Sequence, residues 1–263
     1  MRRCENGDRR NGLLLQERDR HLLRELAVMR VVDREQAKLV AGFGSITRVN
    51  VRLAALTRAG LLTRFFLATQ AGGAKAIYAL SSKGARAVGA SLGWPLRRQN
   101  KTLSANYFVE HQLTINEVYC ALRYQPVPIA NTRFVGWMSF RQPVDAGTSL
   151  VPDGYAELLS STTMITAFLE VDLGSEALSI WEAKTRKYLQ YALSGNFEKQ
   201  FHRPQFRVLV IANSERRLQS IRTTVAAATN KIFWFSSLDL IRREGLWSPV
   251  WLRPKDDRPQ PLF

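Results

Sequence analysis

The stretch FRVLVIA, residues 206–212, runs apolar through its last five positions. A strand that is apolar on both of its alternating faces needs cover on both sides, which places it inside a sheet with parallel neighbours and flanking helices. The neighbouring segments fit that demand. Before it, TRFVGWMSF, VPDGYAELL and TMITAFLEVDL are strand-like, and SEALSIWEAKTRKYLQYALSG reads as a long helix with Ser175 as its cap and Glu176 in its first turn. After it come a helix in SERRLQSIRTTVAAAT, a strand in KIFWFSS and a short helix in SLDLIRREG. With the helical spacing of YFVEHQLTINEVYCALRY in front, the order is αβββαβαβα, a mixed sheet with helices on both faces. The tail WLRPKDDRPQPLF reads as poorly ordered beyond Trp251.

The first third is built differently. Leu22, Leu23, Leu26 and Met29 recur at helical spacing, Asp33 caps a second short helix, and Ser45 caps a third whose stripe is Val49, Leu53 and Leu56 before Gly60 ends it. Two strand-like runs, LLTRFFLA and AIYAL, flank a loop TQAGGAK, and SSKGARAVGASL closes with a helix. Three helices followed by a hairpin, and the phrase RLAALTRAGLLTR…IYALSSKGARAV, resemble the winged-helix signature. The expected class is therefore α+β: a winged helix over 1–92, a linker over 93–106 and a mixed-sheet α/β domain over 107–263.

Charge supplies the first functional constraint. The net charge is +16, and residues 36–109 hold eleven Lys and Arg but no Asp or Glu. A solvated face normally mixes signs, so this purge points to a polyanion, and with a winged helix to double-stranded DNA. The winged-helix resemblance implies that the third helix enters the major groove. Ser45, Thr47, Arg48, Asn50, Val51 and Arg52 are then the residues in reach of DNA, with Arg48 and Arg52 on one helix face. Lys75 lies in the wing, and Arg97 and Arg98 are in the linker. Cys4 and Cys120 share no motif, no run is long enough to span a membrane, and the charged start is no signal peptide. A reducing cytoplasm is the expected compartment. Winged helices often dimerise on DNA, so a homodimer is allowed, though no heptad seam specifies one.

A second constraint lies in the stretch LVPDGYAELLSSTTMITAFLEVDLG. Asp153 follows a proline at the start of one strand, and Glu170 and Asp172, two apart, end the next on one side of it. The αβββαβ order with these acids resembles the core of PD-(D/E)xK nucleases. That resemblance implies a divalent cation, Mg²⁺ or Mn²⁺, on Asp153, Glu170 and Asp172, and a lysine that polarises water or phosphate. The motif expects lysine at 172, where this chain has aspartate; Lys184, on the following helix, is the substitute. His111 is a further ligand or proton carrier, or a core histidine satisfied by a hydrogen bond.

EHQLTINEVY, VPDGYAEL, FLEVDLGSEALS and KTRKYLQY, behind a basic winged helix, together resemble the replication-relaxation family over nearly the whole chain. His111, Asn116, Pro152, Asp153, Glu170, Asp172, Lys184, Tyr188 and Tyr191 match its pattern. The resemblance implies a DNA-binding accessory protein of a plasmid or other mobile element, working beside a relaxase or replication protein. A metal-dependent endonuclease using Asp153, Glu170, Asp172 and Lys184 is the alternative, and a winged-helix transcription regulator the third. The missing motif lysine favours the accessory role over the nuclease. Three close carboxylates repel one another unless a cation or Lys184 offsets them.

Overall fold

The computed structural model describes residues 13–68, 72–91, 103–161 and 163–262. Arg97 and Arg98, most of the stretch read as a linker, and the tip of the hairpin loop fall outside the described residues. The chain divides into two compact units, Met1–Cys120 and Ala121–Phe263.

The first unit is laid down as α1 (Glu17–Met29), β1 (Val31–Asp33), α2 (Arg34–Val40), α3 (Ile46–Arg58), β2 (Leu62–Ala68), β3 (Ala74–Leu80), α4 (Ser82–Ala87) and most of α5 (Leu103–Tyr124). The anticipated caps form. Asp33 accepts from the Gln36 amide at 2.8 Å and Ser45 from the Arg48 amide at 3.4 Å. Leu22, Leu23, Leu26, Val49, Leu53 and Leu56 are all buried, so the helical stripes are the core. β1 has three residues, too short for alternation to show in sequence; it makes the hairpin into an antiparallel sheet of order β1-β3-β2. α4 presses so closely on the chain that a Cβ at Gly84 would sit 2.1 Å from the Leu61 carbonyl oxygen.

α5 begins at Leu103, inside the stretch read as a linker. Its Val109 and Leu113 pack with Val31, Leu67, Ile77 and Ala79 of the first unit. Asn116 is buried and donates to the carbonyls of Met29 (3.0 Å) and Val31 (2.6 Å), joining the end of α1 to β1.

The second unit contains β4 (Thr132–Met138), β5 (Gly154–Ser160), β6 (Thr163–Asp172), α6 (Leu178–Leu193), α7 (Asn196–Phe201), β7 (Arg207–Ala212), α8 (Glu215–Ala226), β8 (Phe233–Ser237), α9 (Leu238–Glu244), β9 (Trp251–Arg253) and β10 (Asp256–Gln260). They form one mixed seven-stranded sheet of order β10-β9-β8-β7-β6-β5-β4, in which β6, β7 and β8 run parallel. Phe168, Val208, Val210, Phe233 and Phe235 on one face share a core with Trp181 and Tyr188 of α6 and Leu218, Ile221 and Val225 of α8. At the β4–β5 edge, Gly154 lies under the Trp137 ring, 2.3 Å from where its Cβ would be.

Two expectations need correction here. The tail beyond Trp251 is ordered through Gln260: β9 and β10 pair as an edge hairpin. Trp251 is fully buried and its indole donates to the Leu246 carbonyl at 2.9 Å, while Arg222 holds the Arg253 carbonyl (2.7 Å) and the Asp257 carboxylate (2.6 Å). The long helix starts at Leu178 with Ala177 as N-cap, so Ser175 is no cap and Glu176 precedes the helix.

Candidate functional site

Glu170 and Asp172 both point to the α6/α8 side of β6, as their spacing requires. Both are almost wholly buried, and a buried carboxylate needs hydrogen bonds or a counter-charge. Glu170 accepts from Lys184 Nζ at 2.9 Å on one oxygen and from the Tyr188 hydroxyl at 2.7 Å on the other. Lys184 also donates to both oxygens of Glu176 at 3.0 Å. Asp153 accepts from the Val171 amide at 2.7 Å, which ties the start of β5 to the end of β6.

Asp172 has a separate partner. Arg217, in the first turn of α8, clamps it through Nε at 2.9 Å and Nη2 at 2.7 Å. The Trp181 indole and the Gly174 amide complete its shell, each at 2.7 Å. Sequence reasoning missed Arg217. The one local signal was the Ser214 cap after β7; only parallel pairing, which sets Asp172 opposite Ala212, brings the helix it starts beside the carboxylate.

The pKa directions follow. Burial pushes Glu170 up to about 7; Lys184 pulls against that, and the charge of Asp153 adds to it. Burial opposes the charge on Lys184, but Glu170 and Glu176 outweigh it and hold the ammonium above the usual lysine range. Burial also opposes the charge on Asp172, yet Arg217, Trp181 and Gly174 together hold it below the usual carboxylate range. A cavity of about 430 Å³, lined by Val151, Ile180, Lys184 and Lys187 among others, opens beside α6.

This donor set does not fit a divalent cation. Both oxygens of Glu170 and both of Asp172 already accept from a cation, a hydroxyl or an N–H. Among the described residues, no three His, Cys, Asp or Glu gather as metal ligands. Of the trio expected to converge, Glu170 pairs with Lys184 and Asp172 with Arg217, while Asp153 accepts from the Val171 amide and its charge reaches Glu170. His111 lies in the first unit, stacked on Tyr107 at 6.2 Å.

In the first unit α3 exposes Thr47, Arg48, Asn50 and Val51, while Val49 and Leu53 face the core. Ser45 is occupied as the helix cap. Arg52, read as a base-contacting arginine, is turned inward instead: its guanidinium grips the buried Asp19 and donates to the Leu14 carbonyl at 2.7 Å. A buried carboxylate draws the nearest cation, and Asp19 precedes the acid-free stretch. Lys75 pairs with Asp33 in the same way. Arg48, Arg58, Arg64 and Arg86 remain exposed, with no acidic partner among the described residues, and Arg64 lies over the exposed Phe66 ring at 5.3 Å.

The family described as Replication-relaxation matches residues 23–203, which takes in the α3 face, Asp153, Glu170, Asp172 and Lys184 but not Arg217. No curated protein matches the chain. A solved structure of restriction endonuclease FokI bound to DNA is similar at 12% identity and a TM-score of 0.27, over 87% of this chain and 44% of that one. The chain thus spans less than half the length of that protein, and a likeness this slight bears on neither fold nor function. No helix among the described residues is long and apolar enough to cross a membrane.

Proposed function

We propose that this chain, which belongs to the replication-relaxation family, is a double-stranded-DNA-binding accessory protein of a plasmid or other mobile element. On this reading the first unit is a winged helix that chooses the DNA. The second is a PD-(D/E)xK-like domain that supports a relaxase or replication protein. The observation that carries the DNA reading is the α3 face: Thr47, Arg48, Asn50 and Val51 stand exposed in a stretch of 74 residues without an acid. Arg48 suits guanine O6/N7 and Asn50 suits adenine. The hairpin β2–β3 supplies exposed Arg64 for phosphate.

The second unit supports a scaffold more than a nuclease. A nuclease of this kind needs carboxylate oxygens open to Mg²⁺ and a lysine open to phosphate. Here Arg217 holds Asp172 and Lys184 holds Glu170, so the charges are balanced internally. The test is a supercoiled-plasmid assay in Mg²⁺ and in Mn²⁺ beside Asp153→Ala. The scaffold reading expects no nicking above the variant. Metal-dependent nicking that vanishes in Asp153→Ala would replace it with the endonuclease reading.

A further inference from the structure

Five arginines of the second unit are buried or half-buried: Arg203, Arg207, Arg217, Arg222 and Arg253. Three of them hold a carboxylate, Arg203 on Glu157, Arg217 on Asp172 and Arg222 on Asp257. Arg207 and Arg253 hold none among the described residues. They flank Trp234 instead, with guanidinium carbons 4.6 Å and 4.4 Å from its ring centre. Their protein acceptors are backbone carbonyls, Leu262 for Arg207 and Asn230 for Arg253. The nearby acids are turned away: Asp256 to Arg258 and Asp257 to Arg222.

The register explains the arrangement. Arg207, Trp234 and Arg253 stand on the adjacent strands β7, β8 and β9, on the sheet face opposite Phe233 and Phe235. Two cations therefore share one aromatic ring as a ladder across three strands. Burial lowers the pKa of both arginines, and the charge of Arg253 lowers that of Arg207 further. Two guanidiniums held close with no acid on them among the described residues raise each other's energy, and an external anion relieves it. Exposed Lys231 and Lys255 lie near the ladder in sequence. Two cations on β7 and β9, one on each strand beside Trp234, suit neighbouring phosphates of a nucleic-acid strand better than one compact anion.

We propose that the Arg207–Trp234–Arg253 ladder is a second nucleic-acid contact, which binds the phosphodiester backbone without reading sequence. This deepens the DNA-binding reading and rests on it. The experiment is fluorescence anisotropy of the full chain on a labelled duplex across a salt series. The variants are Arg207→Met with Arg253→Met, the charge-keeping Arg207→Lys with Arg253→Lys, and Arg48→Ala. Losing two phosphate contacts lowers the log–log salt slope by about 2. The double lysine variant keeps the slope, and Arg48→Ala loosens discrimination between duplexes while leaving the slope nearly intact.

An unchanged slope in the double methionine variant, with Arg48→Ala still loosening discrimination, overturns the ladder alone. Absence of DNA binding by the wild-type chain overturns both readings. Thermal melts check folding, and Arg253→Gln alone, with an expected slope change of about 1, serves if the double variant is unfolded. A Gly-Ser extension at the C-terminus moves the terminal carboxylate. If the slope rises on that change, the terminus occupies the arginines and the proposal falls.

Discussion

Replacing Arg217 with methionine tests the architecture of the carboxylate site most directly. The Asp172 side chain is fully buried. Its four hydrogen bonds come from Arg217 Nε (2.9 Å) and Nη2 (2.7 Å), the Trp181 indole (2.7 Å) and the Gly174 amide (2.7 Å). Methionine keeps most of the volume but removes two of these bonds and the cation that, among the described residues, pairs with the carboxylate. Breaking a buried pair from one side costs about 3–5 kcal/mol, because the remaining charge stays buried. The two surviving donors place the expected loss near the lower end, about 3 kcal/mol. For a unit of this size that lowers Tm by roughly 6–12 °C. Asp172→Asn removes the charge instead, and in that background Arg217→Met should cost much less, leaving a coupling of about 2 kcal/mol. The transition is followed by tryptophan fluorescence in urea, since five of the six tryptophans, Trp137, Trp181, Trp234, Trp247 and Trp251, lie in the second unit. Additive effects within about 0.5 kcal/mol would refute the claim that Arg217 is there for Asp172.

Arg52→Ala should destabilise the first unit by about 3 kcal/mol, because it strands the buried Asp19, whereas Arg48→Ala should leave stability unchanged and reduce discrimination between DNA sites by roughly 1–3 kcal/mol; urea melts and competition binding separate the two, and equal melts would return Arg52 to the surface. If exposed Arg58, Arg64 and Arg86 each meet a phosphate along with Arg207 and Arg253, DNA affinity should fall with salt at a log–log slope of about −4.5, and a flat titration removes the electrostatic account. Glu170 carries a raised pKa of about 7 in the folded chain. Between its unfolded value and that figure the folded state therefore binds more protons, and stability falls as pH rises through the window. Glu170→Gln lacks that proton, so the Tm of wild type relative to this variant should decline from pH 5 to pH 7 and level off above; a constant difference would mean that Glu170 stays ionised throughout.

What could be read from the chain followed its periodicities. The stripes Leu22–Met29 and Val49–Leu56 and the strands around Glu170 and Val210 obey rules that operate within a few residues, and they fold as those rules require. β1 escaped because three residues carry no period. The C-terminal hairpin escaped because its order comes from Trp251 and from Arg222 reaching back across the sheet, neither visible locally. The site divided along the same line. Glu170, Asp172 and Lys184 were legible by spacing along one strand and its following helix. Arg217 was not, because its pairing depends on which strands lie parallel and adjacent. Arg52 misled for a related reason: its position on α3 was read correctly, but its partner Asp19 lies 33 residues away on α1.

Gly154 under the Trp137 ring ties the history of two positions together. Any side chain at 154 drives a β-carbon into an indole whose N–H is held by Ser139 at 3.0 Å. The displaced ring would shift the strand just after Asp153. A smaller residue at 137 alone leaves the glycine uncovered and the sheet edge thin. Neither change is neutral by itself, so lineages of this protein should exchange the two together or keep both. Aligned relatives would show them as a covarying pair across β4 and β5, a trace of packing written in ancestry and separable from any selection on the acids beside it.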